Sequence, residues 1–253
     1  MARYDFASPR LYVDAPLAPQ ARVSLGASQV NYLRNALRLK DGADILTFNG
    51  RDGEWRAKIE TEGRRSTILA AHDQLRPQPP PFDLHYMFAP LKHARLDYMV
   101  QKAVEMGAGQ LRPVLTRRTQ AERINLDRMR ANAIEAAEQC GVLSVAEVFA
   151  PIRLGAALEQ WSGDRLLVFC DEDAPEQDAL AALRAARESN RGGGLAVLIG
   201  PEGGFDEDER KALLAVPRTV RLSLGPRVLR ADTAAVAALA LVQASIGDWP
   251  SQR

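Results

Sequence analysis

A run of prolines, PQPPP at residues 77–81, splits the chain into two stretches with different patterning. Proline fixes φ and removes an amide donor, so successive prolines continue neither a helix nor a central strand and favour an extended connector. Before the run, the apolar pieces RLYVDAP, ADILTFNGRDGEWRAKIE and RSTILAAH alternate with turn residues. Asn49-Gly50 and Asp52-Gly53 lie between ILTF and EWRAKI, which predicts a β-hairpin. SQVNYLRNALRLKDG predicts a short helix with Leu33, Ala36 and Leu37 on one face and Gly42 just past its end. Residues 1–76 therefore read as a small β-barrel-like domain, 77–81 as a linker and 82–253 as a second domain.

After the prolines, apolar strands alternate with helices. DLHYMFAP, QLRPVLT, RLLVFCDE, LAVLIG and TVRLSLG read as buried strands. KHARLDYMVQKAVEMG reads as an amphipathic helix with Leu96, Met99, Val100, Ala103 and Met106 inward, closed by Gly107. LDRMRANAIEAAEQCG, DALAALRAARESN, DEDERKALLAV and ADTAAVAALALVQASIG supply further helices. Nearly continuous apolar strands separated by helices predict an α/β fold whose parallel sheet is covered on both faces.

Composition narrows the function classes. Hydrophobic content of 46% and charged content of 26% in 253 residues are those of a folded globular protein. The most apolar stretch, Ala234 to Val242, is too short to span a bilayer, and MARYDFASPR lacks the core of a signal peptide, so a cytoplasmic protein without membrane attachment is expected. Cys140 and Cys170 form no CxxC pair and read as reduced thiols. His72, His85 and His93 have no metal-ligand spacing, and no metal is expected. The net charge is only +1, yet Lys92 to Arg130 holds nine Lys/Arg against four Asp/Glu. Such a basic zone is either solvated surface or an RNA-binding face.

Two loops follow the last two apolar strands, IGPEGGF (Ile199–Phe205) and SLGPRVLRADTA (Ser223–Ala234). Ligands of open α/β sheets gather beyond the carboxyl ends of the strands. Gly200, Gly203 and Gly204 let the backbone approach a ligand closely, and Asp206 with Glu209 fits a capping box for the next helix. Neither GxxxxGK[ST] nor GxGxxG occurs, which removes the nucleoside triphosphate loop and the dinucleotide fingerprint. A lone GPEGG is as readily a tight turn; Arg227, Arg230 and Asp232 in the second loop make the pair distinctive.

IGPEGGFDEDE followed by LSLGPRVLRADTA closely resembles the paired motifs of the RsmE family of 16S ribosomal RNA uridine-N3 methyltransferases, in the SPOUT superfamily. PRLYV, NYLRNALRLKDGAD, DYMVQKAVEMG and IEAAEQCG match as well, so the resemblance covers almost the whole chain. It implies a PUA-like RNA-binding β-barrel joined to a SPOUT domain, a parallel sheet flanked by helices and tied in a trefoil knot. It further implies S-adenosyl-L-methionine held at the knot, 16S rRNA of the small ribosomal subunit as substrate, and a homodimer. Carried over position by position, the cofactor residues are Leu198, Gly200, Pro201, Glu202 and Gly203 in the first loop, and Leu222, Leu224, Gly225, Val228 and Leu229 in the second. One departure is Val142, where the family often has arginine.

Methylating uridine N3 requires loss of its proton and stabilisation of charge on O2 and O4. Arg230 is the expected catalytic cation, with Arg227 able to serve this charge or an RNA phosphate. Glu202 and Asp232 are the base candidates, and the sequence leaves the choice between them, or solvent, open. Arg10, Arg38, Lys92, Arg95, Lys102 and Arg227 are the expected RNA contacts. Two alternatives fit part of the pattern: a SPOUT methyltransferase with another RNA target, and a non-catalytic ribosome-assembly factor. The N-terminal domain opposes the first, and the intact loops oppose the second.

Overall fold

The computed structural model describes residues 5, 7–63, 66–92, 94–121, 123–175, 178–189 and 192–249. His93 lies outside them. The chain divides into two compact units, residues 1–81 with 137–145, and residues 82–136 with 146–253. The segment 137–145 thus groups with the first unit although it follows the proline run by more than fifty residues.

The first unit contains β1 (Arg10–Tyr12), β2 (Arg22–Ser24), α1 (Ala27–Asn31), β3 (Asp44–Phe48), β4 (Glu54–Glu62) and β5 (Ser66–Arg76). Its sheet runs β1-β3-β4-β5-β2, with β1 and β3 parallel and the remaining pairs antiparallel. The predicted hairpin is β3–β4. In its turn, the Asn49 side-chain oxygen accepts from the amides of Arg51 and Asp52 at 2.9 Å each. Helix α1 runs directly into a π-helical turn, Tyr32–Ala36. The wider winding keeps Leu33 in the core and Leu37 packed against it, and leaves Ala36 exposed, off the face expected for it.

The second unit contains β6 (Leu84–Phe88), α2 (Ala94–Glu105), β7 (Gln110–Leu115), most of α3 (Leu126–Cys140), β8 (Glu147–Val148), β9 (Ile152–Arg153) and α4 (Leu154–Glu159). It continues with β10 (Leu166–Cys170), α5 (Ala179–Ser189), β11 (Leu195–Ile199), α6 (Glu207–Leu214), β12 (Thr219–Leu222) and α7 (Ala231–Ser245). The strand order is β12-β10-β11-β6-β7-β8, with β9 also pairing β7, and every pair is parallel. The fold class is therefore the expected one, a separate N-terminal sheet and a parallel sheet flanked by helices. Side chains alternate across a sheet. Leu167, Phe169, Ala196 and Leu198 accordingly pack with Phe205, Leu154 of α4 and Leu213 of α6. Helix α7 packs on β11, α2 and α5. Buried Gln243 of α7 donates to the Met106 carbonyl at 2.7 Å, fastening the end of α2 to α7. Among the described residues, no helix is long and apolar enough to cross a membrane.

A buried ion cluster corrects one expectation. Arg10, expected at RNA, is only 7% exposed, and its Nε donates to Glu54 at 2.8 Å. Arg76 donates to both Glu54 oxygens at 2.8 Å and to the Gly141 carbonyl at 3.0 Å. Arg10 is thus consumed by the core and is not presented to a phosphate. Burial pushes the Glu54 carboxyl up, but the hydrogen bonds from Arg76 and Arg10 outweigh it and hold the pKa below the ordinary value. A depressed folded-state pKa means the stabilisation is complete above the usual glutamate value of 4.5 and is lost as pH falls through the folded-state value. Glu54→Ala leaves two cations without their carboxylate and is expected to cost about 3–5 kcal/mol. Urea unfolding at neutral pH, with amide exchange in β4 and β5, measures it. The wild-type advantage should shrink in acid.

Candidate active site

The carboxyl ends of three neighbouring strands form one floor. Strand β10 lies between β11 and β12, with Phe169 opposite Leu198 and Cys170 opposite Leu222. Cys170, Ile199 and Leu222 floor a cavity of about 490 Å³, walled by the loops that follow the three strands and by Ala231 and Ala234 of α7. That volume is in the range of small-molecule sites. Residues of GPEGG make one wall, and Ser223 through Leu229 make another.

The GPEGG loop folds tightly upon itself. A Cβ on Gly200 would stand 2.5 Å from the Phe205 ring, which packs edge-on against Phe169 at 5.2 Å. Gly204 has φ of +69°, and a Cβ there would overlap the Glu172 carboxylate. The expected capping box is present: the Glu209 amide donates to Asp206 at 2.8 Å, and the Asp206 amide to Glu209 at 3.3 Å.

Charge around the floor is internally paired. Asp171, with its side chain fully buried, accepts from Arg221 Nε at 2.9 Å and pairs with Arg210 at 3.0 Å. Arg210 also reaches Asp173 and, at 3.4 Å, Glu172. The Asp173 hydrogen bond pushes the Arg210 guanidinium up against the opposing effect of burial. Burial, aided by the Asp171 charge, pushes the Cys170 thiol up to about 12, so it stays protonated at neutral pH and is no nucleophile.

A second cleft of about 410 Å³ shares Pro201 and Glu202 with the first. Its remaining walls are Pro90 to Lys92, the start of α2 at Ala94 and Arg95, and Gln120. Arg95 forms an ion pair with Glu202. The loop after β7 is pinned to GPEGG and α6. Arg118 donates to the Gly203 carbonyl at 2.6 Å, and Arg117 pairs with Asp206 at 2.8 Å and Asp208 at 3.1 Å.

The structure brings together Gly200, Pro201, Glu202, Gly203, Leu222, Leu224, Gly225, Val228 and Leu229 around the first cavity. The Leu198 side chain is fully buried toward α4 and α6, which leaves only its backbone to serve a cofactor, and its neighbour Ile199 lines the cavity. Arg227 lines the cavity, whereas Arg230 is the exposed N-cap residue of α7. Half-buried Asp232 accepts from the Thr233 amide at 2.8 Å and lines neither hollow. Lys92 and Arg95 meet in the cleft, while Lys102 is tied to Glu105 at 2.7 Å and is not brought there. Arg38 is exposed on a left-handed turn of the first unit. Sequence reasoning missed Cys170, Asp171 and Glu172; the signal was that RLLVFCDE is a third apolar strand ending in acids.

Residues 78–243 match the RNA methyltransferase domain, and residues 25–69 match the RNA methyltransferase PUA domain. The chain is 30% identical over 239 residues to the ribosomal RNA small subunit methyltransferase E of Synechocystis, covering 93% of this chain and 77% of that one. It is 28% identical over 235 residues to the enzyme of that name from Rickettsia conorii, covering 92% and 94%. A putative methyltransferase from Legionella pneumophila, solved with bound SAM, superposes with a TM-score of 0.81 at 26% identity, covering 94% of this chain and 97% of that one. The ribosomal RNA small subunit methyltransferase E of Neisseria gonorrhoeae shares the fold at a TM-score of 0.81 and 24% identity, over 96% and 99%. With the methyltransferase domain matched over residues 78–243 and the Synechocystis relative aligned over 93% of this chain, the chain belongs to the ribosomal RNA small subunit methyltransferase E family of RNA methyltransferases.

Proposed function

We propose that this protein transfers a methyl group from S-adenosyl-L-methionine to the N3 of a uridine in 16S rRNA of the small ribosomal subunit, as a cytoplasmic homodimer. The observation that carries the reading is the shared wall: Pro201 and Glu202 separate a cofactor-sized cavity from a cleft lined by cations. The Legionella relative binds SAM, and the Synechocystis and Rickettsia relatives are named for small-subunit RNA. RNA capture is assigned to the PUA-like residues 1–76 and catalysis to 82–253, with the chain following the knotted path that the resemblance implies.

The first cavity fits the cofactor by its own chemistry. Its floor is apolar and its walls are loops of exposed backbone, with Asp171, Glu172, Glu202 and Arg227 among the lining residues, a mixed surface suited to a ligand that carries charges of both signs. S-adenosylmethionine supplies an already electrophilic methyl group, so the protein's own task is to position the base and manage protons and charge. Glu202 is the general base in this reading, because it alone of the two acid candidates borders both hollows. It takes the N3 proton when Arg95 shifts from the ion pair. Arg230 and Arg227, on the second loop, oppose the negative charge that spreads over the uracil oxygens. Lys92, Arg95, Arg38 and Arg227 remain the RNA-facing cations.

Gly203→Val is expected to abolish S-adenosylmethionine binding in calorimetry while the circular dichroism spectrum stays native. A Cβ there meets Arg118 Cδ at 3.4 Å and Cβ at 3.6 Å, contacts that a flexible side chain can relieve, while the branched side chain adds bulk to a wall that glycine keeps open. Unchanged affinity in a folded variant removes the cofactor from GPEGG. Glu202→Gln should lower the single-turnover methylation rate on small-subunit particles by about a hundredfold or more. Asp232→Asn should stay near wild type, and the opposite ranking makes Asp232 the base. The dimer is expected through the apolar, partly exposed side of α7. Light scattering at micromolar concentration should report about twice 27.7 kDa. A monomer with full activity would count against it.

A further inference from the structure

We infer that the 410 Å³ cleft between the start of α2 and Gln120 seats the target uridine, with Lys92 and Gln120 donating hydrogen bonds to the two uracil carbonyls. The inference rests on the methyltransferase reading above and names the residues that select the base.

The edge of uracil that carries N3 runs acceptor, donor, acceptor: O2, N3–H, O4. A methyl group must arrive at N3, so O2 and O4 are the groups left for the protein to grip. The cleft offers what that edge requires. Lys92, Arg95 and Gln120 all bring N–H donors, and the one carboxylate among its described lining residues is Glu202, on the wall shared with the cofactor cavity. Arg95 is committed to Glu202. Among the described residues, Lys92 and Gln120 have no such commitment. Pro90, Leu91 and Pro201 supply apolar surface for a base taken out of its stack.

Lys92 also discriminates. An ammonium has three donors and accepts nothing, so it suits a carbonyl and is repelled by the amino group that cytosine carries at the O4 position. Gln120 could turn its amide to suit either base, but its place is fixed. Thr116 and Thr119 close their loop with a 2.9 Å hydrogen bond, and Arg118 fastens that loop to the Gly203 carbonyl. The loop that carries Gln120 is thereby fastened to the loop that walls the cofactor cavity.

Photo-crosslinking of the full chain with 4-thiouridine 5′-monophosphate, followed by peptide mapping, tests the seat without any cofactor. Label within residues 90–95 or 116–121 supports it, and label confined elsewhere, or none, overturns it. Titration of uridine and cytidine 5′-monophosphates, followed by nuclear magnetic resonance, tests the selection. Wild type should prefer uridine by about tenfold, the worth of one good hydrogen bond, and Lys92→Ala should lose the preference. Gln120→Leu should weaken uridine binding by a similar factor. Equal binding of the two nucleotides by wild type, or wild-type behaviour in both variants, overturns the assignment. Failure of the methyltransferase reading would appear elsewhere, as absence of S-adenosylmethionine binding heat in the wild-type protein. Gln120→Leu should leave that heat unchanged.

Discussion

Parallel pairing of β10 with both β11 and β12 is the constraint on which the site depends. A parallel strand must leave the sheet at the same end as its neighbours. Because β10 sits between two strands that come later in the chain, three loops from distant parts of the sequence emerge side by side. Had β12 paired antiparallel, Ser223 to Leu229 would leave from the opposite edge, and GPEGG would face no second wall. Apolar residues on both faces of these strands make that arrangement favourable, since helices α4 and α6 cover one side and α7 lies on the other.

Loops at such an edge have little apolar surface to bury, so charge and backbone hydrogen bonds hold them. Buried Asp171 is the anchor, with Arg221 from β12 and Arg210 from α6 both turned onto it. Removing either arginine would leave a buried carboxylate short of its partner, which is far costlier than losing an exposed pair. The pairs from Arg117 to Asp206 and Asp208 are exposed and individually weak. Their contribution is positional: together with the Arg118 contact they tie the loop after β7 to a helix whose N-terminus is already capped by Asp206.

Much of this was legible in the sequence, and the misses have a common cause. The proline run and the change from alternating to continuous apolar strands gave the two architectures, because those patterns report local backbone constraints. The paired glycine loops were equally plain. Sequence proximity to GPEGG does not say which face of β11 a side chain takes: Leu198 turns into the core and Ile199 lines the cavity. Arg10 and Lys102 look available to RNA because a sequence shows charges without their partners, and Glu54 lies 44 residues from Arg10. Asp171 was hidden for the opposite reason: it opens an acidic run that looks solvated, yet its side chain has no exposure at all. The π-turn that displaced Ala36 has no sequence signature in the helical spacing.

Glu202 is where these strands of reasoning meet. It lines both a cofactor-sized cavity and a cleft suited to an uncharged, twice-carbonyl base, paired meanwhile with Arg95. A guanidinium hydrogen-bonded to the carboxylate occupies an oxygen that must accept the proton. The pair is nearly half exposed on both sides, so water competes for it and its separation costs little. An incoming RNA brings phosphates that compete for the same guanidinium. On the proposed reading, substrate itself frees the base: the anion that Arg95 turns toward arrives with the uridine whose proton Glu202 must take. Proton transfer to Glu202 is thereby tied to the moment when both hollows are filled.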